Sequence, residues 1–178
     1  MTTSLEDRCK RIELILSDVD GVLTDGGVYY DNQGIETKKF CIRDGLGIKL
    51  WQRAGFAFGV LSARTSHIVK VRAAELDVRI VRQGFEDKLP VAKAVVAELG
   101  LTPEQVCQIG DDLTDLPVMR YVGLGVAVAD AVPEVRQSAD YVTVLSGGCG
   151  AVREVVEMLL KAKNRWEDLI RDYGAAEP

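Results

Sequence analysis

Leu14-Ile15-Leu16-Ser17-Asp18-Val19-Asp20-Gly21-Val22-Leu23-Thr24-Asp25 decides how this chain is read. A short apolar run ends in two acids one residue apart, then a glycine, then a hydroxyl-bearing residue. If the run is a buried strand, its alternation points Asp18 and Asp20 the same way as the chain leaves the sheet. Glycine then lets the backbone bend tightly enough for amide groups to face an anion. Two converging carboxylates repel unless a cation sits between them or one carries a proton. Such a pair suits a magnesium site beside a carboxylate nucleophile. A strand ending in a polar turn would also contain D-x-D, so the rest of the chain has to decide between the two.

Further apolar, β-rich runs follow at Phe56–Leu61, Val78–Val81, Val106–Gly110 and Gly125–Val128, and the first extends over Ile12–Ser17. Helical patterns separate most of them, at Leu46–Arg53, Ser66–Leu76, Lys88–Leu99 and Asp115–Tyr121, with a last helix from about 151 to 172. Thr102, Pro103 and Gln105 read as an N-cap, a first-turn proline and a capping-box partner. Alternating helices and continuously apolar strands predict an α/β fold with a parallel sheet covered on both faces. One stretch breaks the alternation. Gly26–Phe40 holds two short strand-like runs around Asp31-Asn32-Gln33-Gly34, which predicts an inserted β-hairpin. Such a hairpin is marginal alone, and its place after the acidic motif suits a lid or an oligomer contact.

With 178 residues, the chain has room for one domain, spanning 1–178, and its full core. The formal charge of −5, with no basic stripe, argues against nucleic-acid binding. An anionic substrate must then be met by a metal and a few local cations. Cys9, Cys41, Cys107 and Cys149 are scattered without a C-x-x-C pair, which fits a reducing cytoplasm better than a disulfide framework. Met1–Lys10 is too polar for a secretory signal, and no apolar stretch is long enough to span a bilayer, so no membrane partner is expected.

In open parallel sheets, ligands bind beyond the carboxyl ends of the strands. Here those ends carry Asp18 and Asp20, then Ser62 and Arg64, then Lys88 at a helix start, then Asp111 in Gly110-Asp111-Asp112-Leu113-Thr114-Asp115. Each type has a chemical use. Asp18 can attack phosphorus to form an acyl phosphate, and Asp20 can protonate the leaving alcohol and later deprotonate water. Asp111 can join Asp18 and the backbone carbonyl of Asp20 around Mg²⁺. Ser62 can donate to a phosphoryl oxygen, and Lys88 can neutralise charge shared by phosphate and Asp18. Singly these signals are weak, because serine caps helices and acids favour helix N-termini. One such group per strand end is far more specific.

The combination D-x-D-G-x-x-T, Ser62, Lys88 and G-D-D-x-x-D resembles the haloacid dehalogenase superfamily of phosphotransferases, over nearly the whole chain. Arg43-Asp44-Gly45-Leu46-Gly47-Ile48, Leu61-Ser62-Ala63-Arg64 and the hairpin make it similar to the small capless branch of octulosonate phosphatases. The resemblance implies a Rossmann-like doubly wound parallel sheet with an inserted hairpin and no cap domain. It implies Asp18 as nucleophile, Asp20 as general acid and base, Ser62 and Lys88 as further catalytic groups, and Asp18, Asp20 and Asp111 as ligands of Mg²⁺. It implies a phosphorylated keto-deoxy sugar acid as substrate, on the route to the lipopolysaccharide inner core. Contacts to that substrate are implied for Asp20, Arg43, Asp44, Gly45, Lys49, Arg64, Arg72 and Lys88. It also implies a homotetramer in which a neighbouring subunit helps close the site.

Lys49 and Arg72 would equally suit an exposed helix face. Gly147-Gly148-Cys149-Gly150 carries cysteine where octulosonate phosphatases commonly carry arginine, which leaves a nonulosonate 9-phosphate open as the substrate. A non-catalytic tetramerisation domain is a third reading, opposed by the intact Asp18, Asp20, Lys88 and Asp111. His67 and Cys149 have no expected role in a carboxylate mechanism.

Overall fold

The apolar runs predicted as strands lie side by side and parallel in one six-stranded sheet. The computed structural model describes residues 4–171, 173 and 174. Along the chain come α1 (Leu5–Arg11), β1 (Leu14–Ser17), β2 (Tyr29–Tyr30), β3 (Glu36–Thr37), α2 (Ile42–Arg53), β4 (Ala57–Ser62) and α3 (His67–Glu75). There follow β5 (Ile80–Gln83), α4 (Lys88–Glu98), β6 (Val106–Gly110), α5 (Leu116–Tyr121) and β7 (Leu124–Ala127). The last elements are α6 (Pro133–Ser138), β8 (Tyr141–Val142), α7 (Ala151–Ala162) and α8 (Trp166–Arg171). Short 3-10 turns at Pro103–Gln105 and Leu113–Asp115 precede β6 and α5.

The sheet order β5-β4-β1-β6-β7-β8 is that of a doubly wound fold whose direction reverses between β1 and β6. Their register runs from Leu14 opposite Val106 to Ser17 opposite Ile109. Asp18 and Asp111 are the first residues beyond these strands, so they leave the sheet as neighbours at the switch point. Burial sets that register. Ile15 packs into a core with α1, α2 and α7, whereas Leu14 and Leu16 pack on Ala92, Val95 and Val96 of α4 and Val118 of α5. Each fully buried aliphatic side chain contributes about 1.5–3 kcal/mol. Slipping β1 by one residue would exchange the two faces.

The hairpin forms as expected. β2 and β3 pair antiparallel, Tyr29 opposite Thr37 and Tyr30 opposite Glu36, and a bridge joins Thr24 to Phe40. The Asp31 carboxylate accepts from the amides of Gln33 and Ile35 and holds the turn. The Thr102 capping box is also present, on the 3-10 turn before β6. The C-terminal segment departs from the single helix expected over about 151–172. α7 stops at Ala162, Asn164 takes φ +54, and α8 begins at Trp166; residue 172 lies outside the described residues. A left-handed asparagine ends a helix in this way. α1, α6 and β8 went unforeseen because each is short and buries few side chains. Among the described residues no helix is long and apolar enough to cross a membrane.

Candidate active site

Asp18 is nearly buried. Its Oδ1 accepts from the Val19 amide at 2.6 Å, and its Oδ2 meets Lys88 Nζ at 2.7 Å. Lys88, the first residue of α4, is also buried and donates to Asp115 Oδ1 at 2.8 Å. Asp115 is wholly buried and fully engaged. Its carboxylate also accepts from Gln108 Nε2 at 3.3 Å and from the amides of Asp111 at 3.0 Å and Asp112 at 3.4 Å. Asp115 thus ties the loop after β6 to the lysine of α4. Thr24 organises the opposite loop, where its hydroxyl donates to the Val19 carbonyl and accepts from the Gly21 and Gly26 amides. Gly21 has φ +91, and a β-carbon there would overlap the Asp111 carboxylate, so only glycine fits between the two loops.

Carboxylate oxygens of Asp18, Asp111 and Asp115 all lie within 4.8 Å of one another. Burial, and then the charge of Asp115, raises Asp18 above the ordinary carboxylate range against the pull of Lys88. Burial, then the charges of Asp18 and Asp115, pushes Asp111 up to about 8. Burial alone would lower Lys88, but the two carboxylates it contacts outweigh that and hold it protonated. Fully ionised, the three carboxylates would exceed the one ammonium by two negative charges. Asp111 Oδ1 is buried with no hydrogen-bond partner. A hard divalent cation fits this donor set. Asp115, with its oxygens already committed, serves as an anchor for the loop rather than as the freest donor.

The hairpin faces the same site from the other side. Lys38, with a side chain only 1% exposed, pairs with Asp20 Oδ1 and lies 3.4 Å from Glu36 Oε1. Arg64 approaches Asp20 Oδ1 at 3.9 Å through NH1, and its NH2 donates to Glu36 at 2.8 Å and to Tyr30 Oη at 3.3 Å. Ser66 Oγ donates to Glu36 Oε2 at 2.7 Å. Ser62 is buried at the end of β4, where its Oγ accepts from the Arg64 amide at 3.3 Å.

The structure thus brings together Asp18, Lys88 and Asp111, and sets Asp20 with Arg64. The Asp20 carboxylate meets Lys38 through Oδ1, and the ligand role expected of Asp20 falls to its backbone carbonyl. Arg43 lies at the rim and donates to the Cys149 carbonyl at 3.0 Å. That Gly147–Gly150 segment rests on the acidic loop, since Gly148 N bonds to the Val22 carbonyl at 2.9 Å.

The remaining expected contact residues, Asp44, Gly45, Arg72 and Lys49, have the following neighbours within the chain. Asp44 is buried and accepts from the Arg153 amide at 2.8 Å, which caps the start of α7. Gly45 packs against the Arg72 guanidinium, which lies over the Phe40 ring and pairs with Glu75. Lys49 lines a groove of about 750 Å³ with Arg53, Phe56, Arg79 and Leu99. That groove borders the amino ends of β4 and β5, opposite the carboxylates, because α2 runs back along the sheet. His67 is exposed at the first position of α3. Sequence reasoning missed Glu36, Lys38, Ser66, Gln108 and the anchoring role of Asp115. The period-2 alternation of Glu36 and Lys38 was the available signal for the hairpin pair.

Residues 58–152 match the family model of the haloacid dehalogenase-like hydrolases. The chain is 41% identical over 168 residues to a 3-deoxy-D-manno-octulosonate 8-phosphate phosphatase of Salmonella typhi, covering 94% of this chain and 89% of that protein. Identity to the Yersinia pestis phosphatase of the same name is 44% over 160 residues, covering 90% and 86%. A crystal structure of the Moraxella catarrhalis 3-deoxy-D-manno-octulosonate 8-phosphate phosphatase, in complex with magnesium ion, phosphate ion and a KDO molecule, superposes with a TM-score of 0.93. It is 38% identical, and the match covers 94% of this chain and 97% of that one.

Proposed function

This chain belongs to the haloacid dehalogenase-like hydrolases and is a phosphatase, and from that premise we propose that it hydrolyses the terminal phosphate of 3-deoxy-D-manno-octulosonate 8-phosphate. The observation that carries the reading is Asp18 held between Lys88 and Asp111 at the switch point of the sheet. The relatives named above supply the substrate, and the complex of one of them holds the sugar acid, phosphate and magnesium together.

Mg²⁺ is the cofactor. Asp18, Asp111 and the Asp20 carbonyl would hold it, and when bound it supplies charge neutralisation to phosphoryl oxygens. Asp18 attacks phosphorus as its P–O bond to the sugar breaks, and Asp20 gives its proton to the departing alcohol oxygen. The aspartyl phosphate on Asp18 is then cleaved when Asp20 takes a proton from the attacking water. Lys88 opposes the burial that raises Asp18 and neutralises the growing phosphoryl charge. Ser62, at the end of β4, donates to a phosphoryl oxygen. Arg43 and Arg64 offer cations beyond the phosphate, where the sugar carboxylate would lie.

The hairpin supports a homotetramer, because Val28, Tyr29, Tyr30 and Ile35 are all exposed apolar side chains on one small ribbon. A neighbouring copy covering them would close the site in place of a cap domain. The four free thiols support a reducing, cytoplasmic setting, and the proposed substrate supports a role on the route to lipopolysaccharide.

Phosphate release from octulosonate 8-phosphate and nonulosonate 9-phosphate, each with Mg²⁺ and with chelator, tests the reading. Magnesium-dependent preference for the first is expected. Preference for the second would move the enzyme to the other sugar acid, and no release from either would leave an assembly domain.

A further inference from the structure

We propose that Lys38 of the hairpin is a positioning residue for proton transfer: by holding Oδ1 of Asp20 it leaves Oδ2 as the oxygen that carries the proton to the leaving group. The proposal rests on the phosphatase reading above and adds a residue to it. Lys38 follows β3 and shares a face with Glu36 by strand alternation. Its ammonium is buried against Asp20 and Glu36, and a buried ammonium is tolerated only when paired in this way. Nothing else in the described hairpin reaches Asp20.

Glu36 fixes Lys38 in turn. Its carboxylate accepts from Ser66 Oγ at 2.7 Å and Arg64 NH2 at 2.8 Å, and lies 3.4 Å from Lys38 Nζ. The Ser66 amide donates to Gln83 Oε1 at 2.8 Å, which ties this group to the end of β5. A continuous polar chain therefore runs from the sheet through Ser66, Glu36 and Lys38 to Asp20. It fixes the rotation of the Asp20 carboxyl, which a short loop alone would leave free. In the first half-reaction the sugar oxygen leaves phosphorus as the Asp18 oxygen bonds to it. The Asp20 Oδ2 proton passes to the departing oxygen, and Asp20 is left as the carboxylate that Lys38 stabilises.

The dependence of kcat/KM on the leaving group reads this directly, because kcat/KM covers the steps through release of the alcohol. The full chain with Mg²⁺ is assayed on 4-nitrophenyl, phenyl and 4-methoxyphenyl phosphate, as wild type, Lys38→Met and Lys38→Arg. Methionine keeps the buried stem, and melting temperature and size-exclusion profile check that each variant folds and assembles. For Lys38→Met, kcat/KM on phenyl and 4-methoxyphenyl phosphate is expected to fall about 10- to 100-fold. On 4-nitrophenyl phosphate, whose leaving group needs little protonation, the fall is expected to be about 3-fold or less. Lys38→Arg should recover most of the loss. Equal losses on all three esters, or no loss, would overturn the proposal. Magnesium-dependent turnover of the aryl esters without release from octulosonate 8-phosphate would sink the substrate assignment and leave Lys38 standing. Sugar-phosphate turnover with an unchanged leaving-group slope would sink Lys38 alone.

Discussion

Two lysines reach two aspartates by different routes. Lys88 meets Asp18 on the main frame, one at a helix start and the other at a strand end of a six-stranded sheet, and both are buried. Lys38 meets Asp20 from a ribbon whose strands are two residues long and whose tyrosines stand in solvent. The first pair is placed by core burial on both faces of the sheet. The second is placed by a handful of polar contacts, because so small a ribbon has no core of its own. The frame therefore carries the proposed nucleophile and metal ligands, while the hairpin carries the lysine paired with Asp20. In a site divided in this way the inner half rests on the sheet and its core, and the outer half on the polar contacts of the ribbon.

Substitutions on the frame should cost most. Asp18→Asn replaces the nucleophile with an amide, and steady-state phosphate release should fall by at least about 10⁴-fold, as loss of a nucleophile does elsewhere. Near-normal turnover would break the assignment. Lys88→Met should lower kcat by about 10²–10³-fold. It should also lower the melting temperature, since breaking a buried pair costs about 3–5 kcal/mol. Activity loss without destabilisation would mean that Asp18 and Asp115 find another partner.

A smaller effect concerns pH. The folded chain holds Asp111 up at about 8 against an ordinary value of 3.8, and Asp18 is raised as well. Folding then binds protons that the unfolded chain releases, so this stability is complete in acid and is lost as pH rises through about 8. In chelator, the melting temperature should decline from mildly acidic to mildly basic pH. Added Mg²⁺ should reverse the decline most at the basic end. A flat profile in chelator would contradict the crowding of these carboxylates. The smallest effect is expected for Lys49→Ala, which alters a groove at the far end of the sheet and should leave kcat and KM unchanged. A rise in KM for the sugar phosphate would show that a neighbouring copy brings Lys49 to the site.

The same division governs what could be read in advance. β1, β4 and β6 were legible because short, continuously apolar runs bounded by turns suit buried strands, and the ends of such strands point to the site. Asp18, Lys88 and Asp111 were singled out by their places at successive strand ends and by the family resemblance, and the fold brings them together. Asp115 stood in the quoted G-D-D-x-x-D motif, but its part as anchor to Lys88 depends on how the turn after β6 closes. Lys38 and Glu36 were hidden because their partners lie far along the chain and are reached only when the hairpin folds back. Asp44 and Arg72 were expected as substrate contacts from the resemblance, and the fold also gives each an internal task, Asp44 capping α7 and Arg72 covering Phe40. A charged side chain near a motif does not reveal whether the fold itself has already claimed it.

The central claim is covalent: Asp18 carries the phosphoryl group. The direct measurement is mass-spectrometric mapping of the Asp20→Asn chain, acid-quenched during turnover of 4-nitrophenyl phosphate with Mg²⁺; that leaving group needs little protonation, so formation continues while slowed hydrolysis lets the intermediate accumulate. The expected result is one phosphoryl group on Asp18, removed by hydroxylamine as an acyl phosphate. Phosphate released with no labelled chain at any time, or a label on another residue, would contradict it.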